Sequence, residues 1–142
     1  MKGSGWWRSF VVALAAIAPG PILAAVQKWY NLFDIVFIAH PNWPSSAGAF
    51  SIGVGTVTIL PVVALWPKMT ERQKTLYLKI SIIGWLTSLL VCLLAKLAFK
   101  ITLFPSHAIY EIAEFIWFIF FLAFGFFLTH VVAGVALYLG KK

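Results

Sequence analysis

Four groups of residues carry side chains whose identity and periodicity suggest a chemical role. The first is Asp34, Lys96, Lys100, His107, Glu111 and Glu114. His107, Glu111 and Glu114 recur at i, i+4 and i+7, which places them on one helical face, and Gln27, Asn31 and Asp34 follow the same rule. Lys96 and Lys100 share a face as well. Three bases against three acids suit a charge-balanced rim, or a polar vestibule that binds an ion, proton or substrate. The spacing predicts an ion pair from Lys96 to Glu111 or Glu114. The second group is one residue, His130, inside the long apolar run that ends at Leu139. An imidazole there could gate a pore, relay protons or ligate haem. A bis-histidine haem needs a second histidine at that depth, and His40 and His107 fall elsewhere. The plainer role is a neutral ring bonded to a threonine or backbone group of a neighbouring helix.

The third group is basic: Lys68, Arg72, Lys74 and Lys79 flank Glu71. Each such charge near an anionic membrane surface is worth about 1 kcal/mol. Docking of a cytoplasmic partner or an anionic ligand is the alternative. Nucleic-acid binding is not expected, because the basic residues are few, split, and lack an aromatic stacking platform. The fourth group is made of small residues. Ala49 with Gly53, and Ser51 with Gly55, have small-xxx-small spacing, and Gly125, Thr129 and Ala133 form a matching ridge. In lipid such ridges let helix backbones approach closely. They serve packing inside one bundle, a subunit interface, or a pore lining.

Other chemistry is not indicated. Ser, Cys and Lys occur without an activating base at a recognisable spacing, and triad, metalloprotease and phosphate-loop patterns are missing. The reading is non-enzymatic, with no catalytic residue, no metal site and no cofactor. Cys92 is the single cysteine, set among Leu and Val, and reads as a small packing residue.

The elements that must position these groups follow from composition. Of 142 residues, 62% are hydrophobic and 11% charged. A soluble domain has about a quarter of its residues charged, and disorder needs low hydrophobicity. A span of the hydrocarbon core takes about 20 mainly apolar residues. The chain therefore reads as an all-α, polytopic membrane protein with four transmembrane helices and no soluble domain. One bundle covers 1–142, with spans near 10–38, 47–66, 80–103 and 110–139. The first resembles a signal peptide, with Lys2 and Arg8 before a short apolar core and Ala24-Ala25 beyond. It is read as an uncleaved span kinked at 19–21, since proline removes a helix hydrogen bond. Thr70 and Gln73 have capping-box spacing, which predicts a third helix starting near Glu71.

Orientation follows from the loops. With the N-terminus inside, one face holds Lys2, Arg8, Lys68, Arg72, Lys74, Lys79, Lys141 and Lys142 with Glu71, a net +7. The other holds Lys28, Lys96 and Lys100 against Asp34, Glu111 and Glu114 and sums to zero. This positive-inside bias predicts both termini in the cytoplasm. Trp6, Trp7, Trp66, Tyr77 and Tyr138 fall at the inner boundary, and Trp29, Tyr30, Trp43 and Tyr110 at the outer one. The expected location is a bacterial inner (plasma) membrane with an anionic inner leaflet.

Two functional classes remain. One is a self-associating oligomeric pore, channel or membrane-perturbing component of the lysis, toxin or antiviral-defence type. The other is a non-conducting subunit, an anchor or immunity-type protein of a larger membrane complex. The ridges and His130 weigh toward the first.

Overall fold

The computed structural model describes residues 4–30, 42–100 and 107–140. They are helical nearly throughout: α1 Ser4–Ile17, α2 Pro19–Tyr30, α3 Trp43–Leu65, a short 3-10 turn Trp66–Lys68, α4 Glu71–Lys100 and α5 His107–Leu139. Four stretches are long and apolar enough to cross a membrane: Trp6–Trp29, Trp43–Lys68, Glu71–Leu97 and Glu111–Leu139. At most 33% of any of them is buried, so most of each apolar surface faces outward. Water would penalise such a surface, whereas hydrocarbon does not.

The boundaries have local causes. α1 and α2 make up the first span and are divided at Ala18. Pro19 and Pro21 have no N–H to donate to the preceding turn. Ala18 N–H still bonds the Leu14 carbonyl at 2.8 Å, but Ile22 N–H reaches the Ala18 carbonyl only at 3.4 Å. The continuation of this span toward Ile38 lies outside the described residues. α3 starts at Trp43 with proline in its first turn, earlier than the expected 47, and runs unbroken through Pro61. α4 starts at Glu71 on the expected capping box: Gln73 N–H donates to Thr70 Oγ1 at 3.2 Å, and Thr70 N–H to Gln73 Oε1 at 2.9 Å.

α5 is the hub. It packs against α4, α3, α1 and α2, while α4 leans on α5. Trp7 at the start of α1 lies against Gly140 just past the end of α5. The two helices therefore begin and end at the same end of the bundle. Two apolar layers fill the interior. Leu23, Ala47, Cys92, Ala95, Ala113, Phe121, Phe124 and Leu128 form one. Val11, Ala15, Ile59, Val63, Trp66, Ala133, Ala136 and Leu137 form the other, toward the end that carries Trp7 and Gly140. On α3 and α5, residues 51–58 and 129–130 fall between these layers. That level is where the small and polar side chains meet.

Candidate functional site

His130 organises the polar level. The residue is 7% exposed. Its Nε2 lies 2.7 Å from Thr58 Oγ1 on α3, and its Nδ1 2.6 Å from the Tyr77 hydroxyl on α4. The Thr58 hydroxyl also lies 2.9 Å from the Gly55 carbonyl, to which it donates its single proton. Its oxygen then accepts from Nε2–H, and this is the tautomer those bonds fit. Nδ1 is then bare and accepts from the phenol. The Ser81 hydroxyl, one turn along α4, bonds the Tyr77 side chain. The Phe126 ring packs 4.6 Å from the imidazole, centroid to centroid. The chain of bonds runs from Ser81 through Tyr77, His130 and Thr58 to the Gly55 carbonyl. It ties α4, α5 and α3 together in the span interior, where leaving such groups unbonded would cost about 1–3 kcal/mol each.

The imidazole therefore takes the expected threonine partner. Tyr77 and Ser81 were missed by the sequence reading, which placed Tyr77 in an aromatic belt. Tyr77 turns inward, edge-on to Trp66 at 6.2 Å, and Trp66 is buried. The available signal was the i, i+4 pair Tyr77 and Ser81 on the helix after the turn.

Directly above this chain α3 and α5 cross closely. A Cβ on Gly55 would stand 2.8 Å from Thr129 Cβ and 3.0 Å from its Oγ1. A Cβ on Gly125 would collide with the Ser51 side chain. The two ridges thus interlock, each glycine opposite a hydroxyl residue of the other helix. The hydroxyls are satisfied locally: Ser51 donates to the Gly48 carbonyl at 3.0 Å and Thr129 to the Gly125 carbonyl at 3.0 Å. Ala49 and Gly53 lie on the other side of α3 and are exposed, with nothing within 4 Å of a Cβ on Gly53. Ala49 and Gly48 help to line an open groove of about 390 Å³ between α2 and α3.

The rim residues are placed unevenly. Asp34 lies outside the described residues. Lys100 ends α4 and His107 begins α5, and their side chains are not among those described. Lys96 is half-buried, Glu111 exposed and Glu114 0% exposed, and each of the three is engaged by other groups. The basic segment is also split. Lys68, Arg72 and Lys79 are exposed. Lys74 is 7% exposed, with its amine 5.3 Å from the Trp66 ring centroid. The same amine is 3.8 Å from Glu71 Oε1. Among the described residues no group of three His, Cys, Asp or Glu is arranged to hold a metal ion.

No protein-family model, curated protein or solved structure matches the chain. The functional reading therefore rests on the geometry.

Proposed function

We propose that this protein is a small, non-enzymatic integral membrane protein that acts as a non-conducting subunit, an anchor or immunity-type component, within a larger membrane assembly. The observation that carries this reading is the sealed polar level. Both ring nitrogens of His130 are bonded within the chain. Phe121, Phe124 and Leu128 pack on one side of it, and Ile59, Ala133 and Val63 on the other. An ion crosses a close-packed apolar layer only where that layer opens and wets. Among the described residues the His130 level lies between two mainly apolar layers, with Ser88 and Glu114 buried at the first of them.

Self-association into a pore or membrane-perturbing oligomer is the second reading, and the exposed Ala49 and Gly53 favour it. A conduit would then run between copies of the chain rather than through one. On either reading the protein sits in a bacterial inner membrane, and the positive-inside bias supports both termini in the cytoplasm. The mass of the complex extracted in mild detergent separates the two readings. A heteromeric assembly supports the subunit; a closed ring of identical chains that conducts on reconstitution rejects it in favour of the pore.

A further inference from the structure

The outward face of α4 changes character within two turns. Arg72, Thr75, Leu76 and Lys79 are all exposed and, with Glu71, line a concavity of about 380 Å³. Residues 72, 76 and 79 recur at i, i+4 and i+7 and so stand in one row. Side chains on a helix lean toward its N-terminus, so Lys79 reaches back over Leu76 toward Arg72. Glu71 is the one acid at the concavity, and its carboxylate is drawn toward the Lys74 amine, 3.8 Å away. Arg72 and Lys79 form no ion pair among the described residues. Beyond them the same side of α4 continues as exposed Leu76, Ile80 and Ile83. Two cations and a hydroxyl therefore sit at the head of an unpartnered apolar stripe.

We propose that Arg72, Thr75 and Lys79 bind the phosphate of a single anionic phospholipid, whose acyl chain lies along Leu76, Ile80 and Ile83. The inference rests on reading α4 as a membrane span and is independent of whether the protein is a subunit or a pore. Arg72 presents a planar fork of donors to phosphate oxygens, Lys79 a point charge from below, and Thr75 a hydroxyl between them. The stripe supplies the second half of an amphipathic site. An acyl chain matches it, and a free phosphate ion does not. The net positive charge of the pair favours an anionic headgroup over a zwitterionic one.

The test is native mass spectrometry of the full chain in detergent, titrated with phosphatidylglycerol or phosphatidylcholine. The wild type retains one phosphatidylglycerol per chain in preference to phosphatidylcholine. In R72Q/K79Q that retention falls about 25-fold, taking about 1 kcal/mol for each of two charges. The control R8Q/K68Q removes two charges from the same end of the bundle and leaves it unchanged. An equal loss in both double variants overturns the site in favour of general surface attraction. Displacement of the lipid by millimolar inorganic phosphate overturns it in favour of a simple anion site. Failure of the subunit reading would leave all these results unaltered.

Discussion

Removing the phenol hydroxyl of Tyr77 tests whether the His130 network holds the bundle together. Tyr77→Phe keeps the ring against Trp66 and deletes the hydroxyl, with its 2.6 Å bond to Nδ1, its 3.5 Å contact with the His130 carbonyl and its bond to Ser81. A neutral hydrogen bond contributes about 0.5–1.5 kcal/mol net, and side-chain bonds between membrane helices average about 0.6 with a maximum near 1.7. The informative quantity is the coupling in a cycle of Tyr77→Phe, His130→Leu and the double variant. It should be about 0.6–1.5 kcal/mol, and Thr58→Val with His130→Leu should couple similarly. Thr56→Val is the internal control, because the Thr56 hydroxyl bonds its own helix at the Ile52 carbonyl, 2.7 Å away. Its coupling to His130 should stay within the roughly 0.3–0.5 kcal/mol scatter of independent sites. Reversible unfolding in mixed micelles of mild detergent and dodecyl sulfate supplies the free energies. Coupling for Tyr77 and Thr58 no larger than for Thr56 would show that the His130 network does not hold the helices together.

Nitrogen-15 spectra of histidine-labelled protein at neutral pH should show His130 as the Nε2–H tautomer, and a Nδ1–H signal would contradict the assigned bond directions. Gly55→Ala drives a methyl into Thr129 and should destabilise by about 1–3 kcal/mol, as overpacking does. Gly53→Ala meets open space and should be neutral or stabilising by up to about 1 kcal/mol, since alanine is the better helix former; micelle unfolding of both variants checks the contrast. Gly140→Val collides with the Trp7 indole and should unseat the start of α1, read as faster proteolysis near the N-terminus. Cys92, 4% exposed, should resist maleimide labelling until the bundle unfolds.

Much of the architecture was legible because a helix able to cross a membrane must meet simple demands of length and hydropathy. Four apolar stretches and the helix start at Glu71 follow from length, hydropathy and one capping box. The partner type of His130 was legible for a similar reason, since a buried imidazole needs hydroxyl or backbone partners. What could not be read was rotational phase. Ser51 and Ala49 are two residues apart, about 200° around a helix at 3.6 residues per turn. Both ridges on α3 look equally able to pack, and only the register against α5 selects Ser51 and Gly55 for the inside. The same ambiguity hid Tyr77 and Lys74. They share a composition with the boundary residues around them, yet their phase on α4 turns them toward His130 and Trp66. The division of the first span at Ala18 was foreshadowed by its prolines, while the packing of both halves against α3 and α5 needed the structure.

A bundle closed in this way, in which His130 holds helices together, passes no ions on its own. Planar-bilayer recording of the purified protein, with its mass fixed as a single chain, is the decisive measurement. No conductance above the bare bilayer is expected, for the wild type and for correctly folded His130→Ala alike. Discrete conductance from single chains, abolished by His130→Ala, would show that the interior is a path and not a seal.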